Sequence, residues 1–282
     1  MQYLLLAVVI SLITVQNVLQ KSYPKASQKP NVFLFSALTT MVAMVFFVVS
    51  SGFKLSFTTA FIPYSIGFGL AFACAMFGNV MSLKLGSLAL TSLVTSYSLL
   101  IPTLYGMVFL KEPISILGYA GIVLLIISIF LLNAKKESIT ITTKWVLVVG
   151  LTFVTNGMCS TVQKMEQLRF DGGYKNEFMI VALAIAATVL FVLALFQKSD
   201  LKQEAKICMK IAFPNGLANG IVNFLVLVLT GLIPNAILFP SISAGGIVLS
   251  WILATFVYKE KLSRMQLLGY AIGIASVICL NL

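Results

Sequence analysis

The chain contains no histidine, and only eight of its 282 residues are Asp or Glu. Without imidazole it lacks the commonest general base and the commonest metal ligand. Its four cysteines, Cys74, Cys159, Cys208 and Cys279, are far apart with no C-x-x-C spacing. They indicate neither a zinc site nor a disulfide framework and read as soft packing residues. No metal or other cofactor is expected. Charged residues make up 10% of the chain against 60% hydrophobic, whereas a soluble domain carries about 25% charged residues. A water-soluble globule with one buried core is excluded.

What is present is a series of long uncharged runs: 1–20, 30–53, 55–83, 85–110, 113–134, 145–163, 178–197, 211–258 and 265–282. About 20 apolar residues cross the hydrocarbon of a bilayer, and lipid forces their backbone into helices. Eight runs fit one helix each. The run 211–258 holds two, with "GLIPN" at 231–235 as the turn. The expected spans are 2–21, 31–52, 60–82, 87–109, 114–133, 145–165, 177–196, 209–230, 235–257 and 264–281. The first 20 residues lack the basic start and the small-residue cleavage site of a signal peptide, so they read as the first span. The net charge of +11 sits on short loops. Those loops suit anionic lipid headgroups and build no nucleic-acid face. The expected partners are the lipid bilayer and a small-molecule solute, with the chain a monomer or homodimer.

The polar connection "NAKKESITITTK" at 133–144 divides the chain into 1–134 and 135–282, five spans each. Shifting by 148 residues places Lys111-Glu112 on Lys259-Glu260 and Ser115 on Ser263. A slip of three then places Gly118-Tyr119-Ala120 on Gly269-Tyr270-Ala271, and "VLQK" at 18–21 echoes "TVQK" at 161–164. The fold class expected is an all-α polytopic membrane protein, ten transmembrane helices as two five-helix repeats. Five is odd, so the repeats are inverted, a construction of secondary transporters that places the substrate near the midplane. The two Glu of the repeated phrase then lie on opposite membrane faces and read as turn anchors. Lys and Arg concentrate on one side: Lys21, Lys25, Lys29, Lys84, Lys135, Lys136, Lys144, Lys198, Lys202, Lys206, Lys210, Lys259, Lys261 and Arg264. The other side has Lys54, Lys111, Lys164, Arg169 and Lys175. The richer side is expected in the cytoplasm and both termini outside.

Residues 82–133 and 238–282, with the five-plus-five layout, carry a family resemblance. In both stretches a helix ends in a hairpin with Glu, then Ser, then a Gly-rich helix. The chain resembles the drug/metabolite transporter superfamily in its ten-helix EamA-like branch. The resemblance implies that the first, third, fourth, sixth, eighth and ninth helices surround a central cavity. It also implies cytoplasmic termini, against the charge count. Small relatives of this superfamily carry a Glu in the first helix. Here that helix offers Ser11, Thr14, Gln16 and Asn17, which gives no support to cation exchange through a carboxylate there.

With no ionisable group expected deep in a span, a solute would be held by neutral polar side chains and helix ends. In "PNGLANGIVN", Asn215, Asn219 and Asn223 recur every four residues on one face of the eighth helix, beside a ridge of Gly216 and Gly220. The 148-residue shift sets Gly67, Ala71 and Ala75 opposite, a small apolar wall. Asn156, Gln16 and Asn17 are further candidates by depth and by the resemblance. So are Ser96 and Tyr97, which stand with Ser92 before Pro102, and Ser243, which follows Pro240 and precedes Gly245-Gly246. The alternative for every one of these is hydrogen bonding or tight packing between helices. Lys84 reads as a snorkelling residue, Trp145 as part of an interfacial aromatic belt, and Glu166, Asp171 and Glu177 as solvated loop residues.

The sequence therefore points to a multi-pass carrier of the inner or plasma membrane. It would move an amino acid or similar metabolite by alternating access. A flippase for a lipid-linked group and an uptake carrier for an organic cation or nucleoside-like solute are the alternatives. An enzyme is not expected, because no nucleophile, base or metal set is seen in the spans.

Overall fold

The computed structural model describes residues 2–56, 58–86, 88–111, 115–133, 142–197, 200–256 and 264–281. Among them all regular structure is helical: α1 (Gln2–Ala26), α2 (Val32–Ser50), α3 (Ile62–Leu85) after a 3-10 turn at Thr59–Phe61, α4 (Leu88–Tyr97), α5 (Leu100–Val108), α6 (Ile116–Asn133), α7 (Thr143–Phe170), α8 (Lys175–Phe196), α9 (Leu201–Thr230), α10 (Asn235–Phe256) and α11 (Arg264–Asn281). Six helices (α1, α2, α3 with its preceding turn, α7, α8 and α9) are long and apolar enough to cross a membrane. The chain is an α-helical membrane protein by that composition. Residues 134–141, where the two halves were expected to join, and Glu112, Lys259 and Glu260 lie outside the described residues.

The expected fourth span is two helices. Pro102 has no N–H to give to the carbonyl of Ser98, four residues back. Ile101 N donates to Ser98 O at 3.1 Å instead, and Ser98 N donates to Thr95 O at 3.1 Å. These tighter bonds separate α4 from α5 at Ser98–Leu99.

Three other helices run past the charges that were expected to end them. α1 continues beyond Lys21 to Ala26, with Lys25 in its last turn, where the helix dipole favours a cation. α9 starts at Leu201, capped by the Asp200 carboxylate, which accepts from Lys202 N and Gln203 N at 3.1 Å each. α7 continues through Lys164 and Glu166 to Phe170. Three expectations are corrected as a result. Ionisable groups do lie within the helices, and Glu166 and Glu177 are buried rather than solvated, at 0% and 6% exposure. Asp171 alone of the three is exposed. Each end of the bundle has its own arrangement for buried charge. Lys164 Nζ donates to Thr230 O at 2.9 Å, and Glu177 Oε1 accepts from Ser56 N at 2.7 Å. At the other end Glu204 accepts from Tyr23 Oη at 3.0 Å and from Ser27 Oγ. Trp145 also departs from expectation. It is 7% exposed, packs on Gly86 and donates from Nε1 to Thr91 Oγ1 at 3.3 Å, so it belongs to the interior. Lys84 is exposed, as a snorkelling residue should be.

The core forms where α2, α3, α8 and α9 meet, around Phe47, Phe68, Phe178, Leu183 and Leu227. α2 packs on α8 and α9, α3 on α7 and α8, α1 on α9, and α6 on α11. Small residues set the closest approaches. A Cβ on Gly216 would meet Thr39 O and Val42 of α2, and one on Gly220 would meet the Phe46 ring. A Cβ on Gly69 would lie 2.6 Å from Ala182 O of α8. α6 and α11 exchange hydrogen bonds: Ser128 Oγ donates to Gly269 O at 2.6 Å, and Ser276 Oγ to Gly121 O at 2.7 Å. An early residue of each helix meets a late one of the other, so the two are antiparallel. The two donors, Ser128 and Ser276, stand 148 residues apart in sequence, as do the two acceptors, Gly121 and Gly269.

Gly67 and Gly69 give a matched test of close packing. A Cβ at Gly67 meets nothing within 4 Å. Gly67→Ala should leave the melting temperature in detergent unchanged or raise it, since Ala favours helix by about 1 kcal/mol. Gly69→Ala should lower stability by about 1–3 kcal/mol, the usual cost of overpacking. Equal melting temperatures for the two variants would contradict the packing described.

Candidate functional site: a carboxamide-lined cavity

A cavity of about 160 Å³ lies between α1, α3, α4, α7, α9 and α10. These correspond to the first, third, fourth, sixth, eighth and ninth expected spans. Eight carboxamides reach it: Gln16, Asn17 and Gln20 from α1, Asn79 from α3, Asn156 and Gln163 from α7, and Asn219 and Asn223 from α9. Ser92, Thr95, Thr152 and Ser160 add hydroxyls. Among the described residues no Asp, Glu, Lys or Arg lines it. The remaining wall is apolar, with Ile13, Phe72, Met76, Val226, Phe239 and Ile242.

The carboxamides are joined in two groups. In the first, Gln163 Nε2 donates to Asn223 Oδ1 at 2.9 Å, and Asn223 Nδ2 to Asn219 Oδ1 at 3.1 Å. Asn219 Nδ2 then donates to Gln16 Oε1 at 2.9 Å. This chain ties α7, α9 and α1 together across the cavity. In the second, Asn79 Nδ2 donates to Asn17 Oδ1 at 3.3 Å and to Gln20 Oε1 at 2.5 Å, while its Oδ1 accepts from Thr95 Oγ1 at 3.3 Å. Asn156 Nδ2 donates at 2.7 Å to Ser98 Oγ at the break between α4 and α5. Every Asn and Gln amide has two donors and an acceptor with two lone pairs. Each therefore retains capacity for a solute after making these bonds.

Five of the residues singled out from sequence line the cavity: Gln16, Asn17, Asn156, Asn219 and Asn223. Asn215 does not. Steps of four residues advance 400° around a helix of 3.6 residues per turn, so the Asn row drifts by about 40° at each step. Asn215 consequently faces α2, donating to Thr39 Oγ1 at 3.3 Å with 0% exposure. Ser243 is buried and Tyr97 half-buried, and both stand off the lining. The side chain of Ser96 lies outside the described residues. The wall facing Asn219 is not the small one expected, for Phe72 and Met76 stand there beside Ala75. Sequence reasoning passed over Asn79, a polar residue inside an uncharged run with the same signal as Asn156. It also passed over Gln20 and Gln163, because each precedes a Lys that was taken to close its helix.

The chain matches no protein-family model. It is similar to an uncharacterized protein of Haemophilus influenzae, 22% identical over 272 residues that cover 91% of each chain. Its fold is also that of a protein solved by crystallography, with a TM-score of 0.70 over 99% of this chain and 95% of the other, at 16% identity.

Proposed function

We propose that this protein is a carrier of a small, net-neutral polar solute, built as two inverted five-helix repeats and working by alternating access of the central cavity. The observation that carries the reading is the pairwise relation of the cavity's lining. Ile13, Gln16, Asn17 and Gln20 of α1 recur 143 residues later as Asn156, Cys159, Ser160 and Gln163 of α7. Phe72, Ala75, Met76 and Asn79 of α3 recur 147 residues later as Asn219, Val222, Asn223 and Val226 of α9. Ser92, Thr95 and Leu99 recur at the same 147 as Phe239, Ile242 and Gly246 of α10. All these positions line one cavity, as expected when it lies on the axis relating two halves.

Helix packing supports the same exchange. Swapping α1 with α7, α2 with α8, α3 with α9, α4–α5 with α10 and α6 with α11 turns the α2–α9 contact into α8–α3, and α1–α9 into α7–α3. The pairs α2–α8 and α6–α11 map onto themselves, and each is antiparallel. For α2–α8, Asn31 at the start of α2 donates at 3.1 Å to Ala194 O near the end of α8. These contacts support a layout like that of the ten-helix EamA-like branch of the drug/metabolite transporters, in a cell (inner or plasma) membrane.

Related positions do not share chemistry. Asn219 pairs with Phe72, Asn223 with Met76, Asn79 with Val226 and Asn156 with Ile13. A duplicated frame thus encloses a one-sided site, which suits a solute with a polar end and an apolar end. The lack of a counter-charge in the lining disfavours a net-charged solute, since an unpaired buried ion costs several kcal/mol. A zwitterionic amino acid carries both charges on one molecule and needs no counter-charge from the protein, so it fits these terms better than an organic cation.

Two outcomes test the reading. Leucine, serine or another amino acid with an uncharged side chain should raise the melting temperature of the purified protein, because a ligand bound only to the folded state stabilises it. Lysine, glutamate and tetraalkylammonium ions should bind about a hundredfold more weakly or not at all. Tightest binding by a charged solute would contradict the neutral site. In proteoliposomes Asn219→Ala and Asn223→Ala should each reduce uptake about tenfold or more, as loss of one or two hydrogen bonds implies. Asn215→Ala removes an equally buried amide outside the cavity, so it should lower stability and leave uptake per folded molecule unchanged. Equal loss of uptake in all three variants would assign these amides to packing alone.

A further inference from the structure

One buried ionisable group neither lines the cavity nor bonds another helix through its side chain. Glu166 stands in α7 one turn beyond Gln163, the last cavity residue of that helix, toward the end where α7 meets α8. It is 0% exposed, and neither carboxylate oxygen has a hydrogen-bond partner. An ionised carboxylate with no donor is far more costly to bury in protein than the neutral acid, whose unpaired burial costs a few kcal/mol.

The charged groups around it are few. From α8 come Glu177, whose carboxylate accepts from Ser56 N, and Lys175, whose ammonium lies 5.5 Å from the centre of the Phe224 ring. Both act electrostatically on Glu166. Within α7, Lys164 gives its ammonium to Thr230 O, and Arg169 and Asp171 are exposed at the helix end. Of the other helices packed on α7, α4 and α5 carry no charge, while the charges of α3 and α9 (Lys84, Lys202, Glu204, Lys206, Lys210) sit at the opposite end. Lys54 in the connection after α2 is exposed.

We propose that Glu166 is a proton-binding site, placed on the path between the cavity and the α7–α8 end of the bundle. In the arrangement described it holds a proton. When that end opens and water reaches it, the carboxylic O–H gives the proton to water and the carboxylate remains, solvated and facing Lys175. A metal cation is a poorer occupant, because the Lys175 ammonium already acts on this carboxylate. The proposal rests on the carrier reading only for its consequence, that solute movement and proton movement are coupled. The site itself is measured without any solute.

The test is infrared spectroscopy of the full-length protein in nanodiscs, titrated with acid and base. The sequence has only eight side-chain carboxyls, so a single protonated one is resolvable. Wild type should show a carboxylic-acid carbonyl band at neutral pH. Glu166→Gln should lose it and Glu177→Gln should keep it. A wild-type spectrum with no such band at neutral pH overturns the proposal, whether or not Glu166→Gln folds. So does a band that survives in Glu166→Gln, or one that Na⁺ removes at constant pH, which would make this a sodium site. Absence of amino-acid binding alongside a Glu166 band would count against the solute assignment and leave the proton site standing.

Discussion

The structure depends on one constraint: a polar side chain inside a membrane bundle has no bulk water to bond, so it must find partners among the other helices. The chain Gln163–Asn223–Asn219–Gln16 meets that constraint and in doing so joins α7 and α9 to α1. The Asn79 group does the same for α1, α3 and α4. These bonds hold eight amides around a single space while leaving part of each amide's capacity unused. The groups that hold the helices are also the groups that line the cavity.

Close backbone approach provides the frame. Gly216 against Thr39 and Gly69 against Ala182 bring α9 to α2 and α3 to α8. Both contacts sit beside helix faces that carry lining residues. At one end of the bundle buried polar contacts gather around Glu204, Tyr23 and Ser27, and at the other around Lys164, Glu166 and Glu177.

Much of the architecture was legible from where charges are absent. The uncharged runs located the helices. Cutting spans at charges failed at Lys21, Lys164 and Lys210, because long side chains and buried partners let a helix continue past a charge. That rule hid Gln20, Gln163 and Glu166. The site was half legible for a related reason. Uncharged runs show that an Asn is inside a bundle, but four-residue spacing alone does not say which neighbour it faces. Asn215 and Asn219 look alike in sequence, and only packing separates the one that meets Thr39 from the one that meets the cavity. The lining holds Phe72 and Met76 beside Ala75, where a wall of small residues was expected.

The account's central claim is that a net-neutral solute occupies the space between the carboxamides of α1, α7 and α9. The most direct measurement is a cryo-electron microscopy structure of the protein in nanodiscs with the amino acid that most raises its melting temperature. The account predicts density in the cavity within hydrogen-bond distance of Asn219 and Asn223, with the apolar part against Phe72 or Met76. Solute density elsewhere, with these amides bonded only to one another, would contradict it.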